Sequence, residues 1–273
     1  MIKQQQIIEY IKKIPPLPNS IKLSLEYLEK GDLPNAAKVA QSDKALSNYL
    51  IDLVNKPYFG FKTRVENINQ IFGILGIKTA KQILYSYLIS TIAPKSWKVF
   101  NLTNKEFYKL QSETISNWNK ILKYENRDED WLQSSINFVL LSIFVAEEIF
   151  KDNFEDFMII KQVKEINYDD LLRKFTNMSL LEIAAFISKK WEADKTIISM
   201  LKDLSKKDAS NKNYGKFVKY MHLLLFYQLS KPEFMKAGLN DFMEFDPNFV
   251  EDIFEDFNKI VGTMEIYETS NQT

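Results

Sequence analysis

Apolar residues recur at intervals of three and four along most of the chain, which is the spacing of one face of an α-helix. Ile68, Ile71, Phe72 and Leu75 are an example. No comparably clear alternation of apolar and polar residues, the pattern of a β-strand, stands out. The 7 Gly and 8 Pro are too few for the many turns of a sandwich or barrel. The pattern therefore predicts an all-α protein, with armadillo-like helix pairs as one possible arrangement.

Capping residues, glycines and prolines divide this pattern into separate helices. A polar, lysine-rich stretch at residues 205–213 has no apolar periodicity and predicts a loop, and residues 268–273 predict a frayed end. The predicted helices cover residues 2–13, 19–28, 34–40, 45–55, a helical hairpin over 68–92, and then 104–124, 131–150, 168–175, 180–191, 195–204, 217–229 and 247–260.

Composition excludes several functional classes. The 36 basic and 36 acidic residues give a net charge of +0, so no overall field attracts a polyanion, and we expect no nucleic-acid partner. The absence of cysteine excludes disulfides, iron–sulfur clusters and thiol nucleophiles, and it is compatible with a reducing cytoplasm. The most apolar segment, residues 138–146, is far shorter than the ~20 residues of a membrane helix, so a soluble cytoplasmic protein is expected.

The chain contains a single histidine, His222, in the apolar run 220–226. A lone histidine without a helix-spaced second histidine or paired carboxylates does not predict a zinc or iron site. We interpret His222 as a residue on the edge of a packed C-terminal helix, with a role as a pH sensor as the alternative.

Four motifs in the N-terminal part, at residues 14–18, 42–47, 54–60 and 70–76, resemble in order and spacing those of the HDOD family. The resemblance covers about residues 7–205. It implies an HDOD domain, which is a relative of the HD phosphohydrolases found in bacterial signalling proteins. It further implies an N-terminal bundle of about five helices at residues 1–100 and an HD-like helical subdomain at residues 101–205, followed by a C-terminal helical extension at residues 206–273.

The motif residues are interpreted mainly as structural. The proline-rich entry sets the angle between two helices, and Asn55 with Gly60 closes a helix whose end turns sharply. A ligand groove at the same turn is the alternative. The motif residues are Pro15, Pro16, Leu17, Pro18, Asp43, Asn55, Tyr58, Phe59, Gly60, Leu75 and Gly76.

An HD phosphohydrolase needs histidines and aspartates that converge on one or two divalent cations, because the metal activates water and neutralises the phosphate. The resemblance places the first of these histidines at Gln111, the His-Asp pair at Ser142 and Ile143, and a later histidine at Leu180 or a neighbour. Isoleucine and leucine cannot bind a cation. The resemblance therefore implies a degenerate, apolar cavity, no metal, no cofactor and no catalysis.

The acidic C-terminal segment 244–257 has an aromatic stripe opposite its carboxylates. We expect this stripe to pack on the protein's own core, with a surface for a protein partner as the alternative. Its residues are Phe249, Ile253, Phe254 and Phe257.

These observations lead to three functional hypotheses. The first is a non-enzymatic module of signal transduction or regulation, which acts through contacts with signalling or regulatory proteins. The second is a sensor that binds a nucleotide or another small molecule in the degenerate HD cavity. The third is a residual metal-dependent phosphohydrolase, which the missing ligands disfavour.

Overall fold

The computed structural model describes residues 9, 12–55, 63–94 and 96–262. These residues form helices, turns and loops without a strand, so the all-α prediction is confirmed. Within this described part of the chain, three short 3₁₀ turns cover Lys151–Asn153, Leu239–Asp241 and Glu251–Ile253. The helices are α1 (Asn19–Glu29), α2 (Leu33–Ser42), α3 (Lys44–Val54), α4 (Ile68–Thr91), α5 (Asn104–Tyr124), α6 (Asp130–Phe150), α7 (Phe154–Lys164), α8 (Tyr168–Thr176), α9 (Leu180–Lys190), α10 (Lys195–Lys206), α11 (Gly215–Leu229), α12 (Pro232–Met235), α13 (Pro247–Val250) and α14 (Phe254–Ile260).

Several of the predicted elements differ from the structure. The predicted hairpin over residues 68–92 corresponds to α4, in which two helical segments meet at the non-helical Gly76. The predicted helix 247–260 is divided into α13 and α14 by a 3₁₀ turn. Helix α7 was missed, and α10 extends to Lys206 into the predicted loop. The predicted first helix 2–13 lies mostly outside the described residues, and the frayed end 268–273 lies entirely outside them.

The proline-rich entry joins the N-terminal bundle to the end of α9. The buried Trp191 donates its indole N–H to the carbonyl oxygen of Pro15 at 3.0 Å, and the Lys190 ammonium donates to the carbonyl of Ile14 at 2.6 Å. Pro15 and Pro16 are themselves exposed. The segment therefore offers its backbone carbonyls, rather than its rings, to a part of the chain that lies about 175 residues away.

Two polar motif residues fix helix ends in the bundle. The Asp43 carboxylate caps α3 by accepting from the backbone N–H groups of Ala45 and Leu46, and Ser20 donates to its second oxygen at 2.7 Å. The Asn55 amide donates to the carbonyl of Val65 and accepts from its N–H, each at 2.8 Å. Asn55 thereby ties the end of α3 to Val65. Tyr58, Phe59 and Gly60 lie outside the described residues.

Helix α6 is the central element. It packs against α4, α5, α9 and α10, and most of its side chains are buried. By length and composition it could cross a membrane, but its most apolar window is 89% buried inside the protein. A helix that is apolar on all sides and covered by other helices is a core helix, which is consistent with a soluble protein.

One buried carboxylate on α6, Glu147, organises the connection between the bundle and the following helices. It accepts hydrogen bonds from three successive backbone N–H groups, those of Lys98, Val99 and Phe100, the last two at 3.0–3.1 Å. The residue is fully buried. The link between α4 and α5 is therefore held on the central helix by main-chain bonds to a single side chain.

The C-terminal segment belongs to the same core. Helix α11 packs on α5, where the rings of Trp118 and Phe217 meet edge to face at 6.1 Å and the Tyr220 hydroxyl bonds to Glu125 at 2.7 Å. The hydrophobic core is continuous from Ile14 to α14. The division at residues 100 and 205 stays a prediction.

The aromatic stripe of the C-terminal segment packs against the protein's own core. Ile253 is 1% exposed and Phe257 is fully buried. Phe249 and Phe254 are half-buried and pack against the same core. Core packing therefore accounts for all four residues, and a partner surface formed by the partly exposed Phe249 and Phe254 stays a prediction.

The two glycines of α4 should respond in opposite ways to alanine. Gly76 has φ 72° and ψ 173°, a region that alanine avoids, so Gly76→Ala should lower the free energy of unfolding by about 1–3 kcal/mol. Gly73 is helical and has open space where a Cβ would lie. Gly73→Ala should therefore raise the free energy of unfolding by up to about 1 kcal/mol. Urea unfolding measures both changes; equal effects would contradict the assigned break at Gly76.

Candidate ligand-binding cleft

The four positions expected to have lost metal ligands all lie in the interior. Gln111, Ser142, Ile143 and Leu180 are buried. The Ser142 hydroxyl donates to the carbonyl of Val139 in its own helix, and the Gln111 Nε2 atom has no hydrogen-bond partner. Within residues 9–262, apart from the gaps stated above, no group of three His, Asp or Glu side chains is placed to hold a metal ion.

Leu180 differs from the other three because it lines a cleft. Two clefts adjoin where the C-terminal segment 239–246 faces α7, α8 and α9: an outer cleft of about 610 Å³ and an inner cleft of about 190 Å³. Asn167, Met243 and Glu244 line both. The pair of clefts is the candidate functional site, since small-molecule sites favour concave boundaries between packed segments.

A hydrogen-bonded network of charged and hydroxyl groups forms one side of the inner cleft. The Asp169 carboxylate accepts from Arg173 Nε at 2.8 Å and from the backbone N–H of Leu180 at 2.7 Å. Arg173 also donates to the carbonyl and the hydroxyl of Ser205 at 3.0 and 2.9 Å. Burial raises the pKa of Asp169, and the bonds from Leu180 and Arg173 oppose that shift.

The network continues into the first turn of α9. Ser179 caps this helix through the N–H of Glu182, whose carboxylate accepts from the N–H of Ser179 in return. The Ser179 and Ser205 hydroxyls are 2.6 Å apart, and Glu182 lies 3.6 Å from the Arg173 guanidinium. Arg173 is thus neutralised by two carboxylates.

His222, on α11, lines the same cleft. It is 1% exposed, and neither ring nitrogen has a hydrogen-bond partner. Its ring meets that of Phe249 edge to face at 5.4 Å. Burial, with a smaller contribution from the Lys207 charge, lowers the pKa of His222 from 6.5 to about 4. The imidazole is therefore neutral at pH 7 and offers one donor and one acceptor.

An ion pair joins two segments at the inner cleft. The Lys207 ammonium, at the end of α10, lies 2.9 Å from the Asp246 carboxylate, which also caps α13 through the N–H of Phe249. This pair holds the pKa of Asp246 below its usual value. It ties the C-terminal segment to α10 across the cleft.

The outer cleft combines aromatic and acidic groups. The rings of Phe226 and Phe245 stack at 4.8 Å with an interplanar angle of 25°. Lys161 pairs with Asp241 at 2.6 Å, whereas the exposed Glu165 has no ion-pair partner among the described residues. The outer cleft therefore offers an apolar face beside an unpaired carboxylate.

The sequence identified few of these residues. Leu180 and His222 were singled out, the first as a lost ligand and the second as a packed histidine. The Ser179 to Glu182 spacing is a capping signal that could have been found. The clefts are lined by residues between 161 and 245 that lie far apart in the sequence. No local sequence pattern indicates that these residues are close in space.

Comparison with protein families gives one match, in which the HDOD domain model covers residues 14–205. Among solved structures, an HDOD domain protein of unknown function from Geobacter sulfurreducens is similar, with TM-score 0.61, 12% identity, and 95% of this chain and 96% of that chain covered. No curated protein matches.

Two structures from Shewanella amazonensis SB2B are also similar. A candidate metal-dependent phosphohydrolase has TM-score 0.57 and 16% identity, with 94% of this chain and 97% of that chain covered. A candidate phosphohydrolase has TM-score 0.62 and 14% identity, with 94% and 88% covered. At these identities the three structures establish the fold alone.

The His222 environment predicts a pH dependence of stability. Between pH 6.5 and about 4 the unfolded chain binds a proton at this residue and the folded chain does not, so stability falls as pH falls. From pH 7 to pH 5 the wild type should lose up to about 2 kcal/mol more than His222→Leu. Urea unfolding at both pH values measures the difference, in which the other titrating groups cancel. Equal losses would contradict a neutral buried imidazole.

Proposed function

The chain belongs to the HDOD domain family, and from this premise we propose that it is a non-enzymatic regulatory module that acts through contacts with other proteins. The family is related to metal-dependent phosphohydrolases, so the first question is whether catalysis remains. The proposed partners are signalling or regulatory proteins, and the proposed compartment is the cytoplasm.

The single observation that carries the proposal is the identity of the residues at the expected ligand positions. Ile143 and Leu180 have no atom that can bind a cation, and Gln111 and Ser142 offer only neutral oxygens. All four side chains are buried. A site without histidine or carboxylate ligands neither concentrates a divalent cation nor lowers the pKa of a bound water.

A role in protein contacts is supported by the surface of α7. Ile159 and Val163 are one helical turn apart and are 61% and 72% exposed, so they share a face of this helix. Only Phe157 of α7 is fully buried. Adjacent exposed apolar side chains are the feature by which we assign this face as the contact surface, because contiguous apolar patches mark sites of protein contact.

We expect no metal-dependent hydrolysis. The full chain, incubated with bis(p-nitrophenyl) phosphate and Mn²⁺, Mg²⁺ or Zn²⁺, should release no more nitrophenol than buffer with the same metal. An active HD phosphohydrolase assayed in parallel is the control. Saturable turnover that EDTA removes would show that the chain is an enzyme and would end the non-enzymatic proposal.

The contact role predicts a partner whose capture depends on α7. The full chain and the double variant Ile159→Ser, Val163→Ser should differ in at least one protein identified by cross-linking and mass spectrometry. Lys164→Ser, an exposed change on the same helix and outside both clefts, is the matched control and should behave as the wild type. If all three chains capture the same proteins in the same amounts, the contact role of this face is wrong.

A further inference from the structure

We propose that the inner and outer clefts together bind a small aliphatic diamine or polyamine, whose protonated amino groups meet His222 at one end and unpaired carboxylates at the other. This inference does not depend on the proposed contacts with other proteins. It concerns a binding site, and it would stand whether or not a protein partner is found.

The charges that line the clefts favour a cationic ligand. Five carboxylates and three cationic side chains line them, in a protein whose net charge is +0. Each of the three cations is already in an ion pair with a carboxylate: Lys161 with Asp241, Arg173 with Asp169, and Lys207 with Asp246.

The carboxylates that remain are free to bind a ligand. Glu165, Asp170 and Glu244 are exposed and have no ion-pair partner among the described residues. Glu244 lines both clefts, so it lies where they meet. An ammonium group placed there gains charge-assisted hydrogen bonds without displacing an existing pair.

His222 supplies an independent reason to expect a ligand in the inner cleft. Buried polar groups are nearly always hydrogen-bonded, and leaving one unpaired is destabilising. Both nitrogens of His222 are unpaired although the residue is 1% exposed. Because its pKa is lowered to about 4, the neutral ring presents a lone pair that can accept a hydrogen bond from an ammonium.

Apolar side chains also line the clefts. Met243 lines both clefts, and the stacked rings of Phe226 and Phe245 line the outer one. Methylene groups pack on such surfaces, and aromatic faces attract ammonium groups as well. A chain of methylenes that carries amino groups therefore finds both apolar surface and unpaired carboxylates in the clefts.

The same contacts disfavour an anion. A phosphate or nucleotide would need free cations, but Arg173 is bonded to Asp169, Glu182 and Ser205, and Lys207 is bonded to Asp246. An anion would also face the unpaired Asp170 and Glu244. Binding of an anion would require these pairs to break in the presence of repelling carboxylates.

Calorimetric titration of the full chain with putrescine and with spermidine tests the inference. At fixed ionic strength we expect saturable binding of either amine at one site per chain. The neutral analogue 1,4-butanediol, inorganic phosphate, AMP and MgCl₂ serve as comparisons, and none of them should bind there. Binding of phosphate or AMP without binding of an amine would overturn the inference, as would the absence of saturable amine binding.

Matched variants then locate the site. Glu244→Gln should weaken amine binding about fivefold, which is the effect expected from the loss of one exposed ion pair. Glu251→Gln, an exposed change in the same C-terminal segment, should leave amine binding unchanged. His222→Leu should weaken it at least about tenfold, through loss of a bond to a charged group.

His222→Leu should also remain folded, because it removes two unpaired buried nitrogens, and circular dichroism checks this. Amine binding that is equally strong in Glu244→Gln, Glu251→Gln and the wild type would place the amine elsewhere and overturn the assignment.

Discussion

The carboxylate of Glu147 is the interaction on which the rest of the architecture depends. Helix α6 can be buried on all sides only because its single fully buried charged side chain meets three backbone N–H groups of residues 98–100. Without Glu147, the N–H groups of this non-helical link would be unpaired in the interior. The hydrogen bonds therefore satisfy both the buried carboxylate and the buried backbone N–H groups, and they fix where α5 begins relative to the core.

The sequence predicted those parts of the fold whose apolar residues face the core. Helix α5 was predicted with the bounds that it has, 104–124, because its buried side chains follow the helical period without a break. Helix α7 was missed for the opposite reason: Ile159 and Val163 face solvent, so its apolar pattern does not mark a buried stripe. The break at Gly76 depends on a backbone conformation that composition does not reveal.

Polar residues were harder to interpret than apolar ones. Asn55 was expected to close a helix end, but its bonds to Val65, ten residues ahead, could not be read from a local motif. The expected loss of the metal ligands rests on residue identities, which a sequence does contain. The sequence does not show that Leu180 lines a cleft whereas Gln111 and Ser142 are not among the residues that line it. That distinction arises from packing between distant helices.

The Lys207–Asp246 ion pair spans the inner cleft. It joins two residues that are 39 positions apart in the sequence. During synthesis from the N-terminus, the helices matched by the family model, which end at residue 205, leave the ribosome before the segment that forms the opposite wall. Both walls of the cleft are therefore present only after residues 239–246 have been synthesised. A molecule that bound in the cleft would stabilise the folded chain that includes this segment and would not stabilise a shorter intermediate that lacks it.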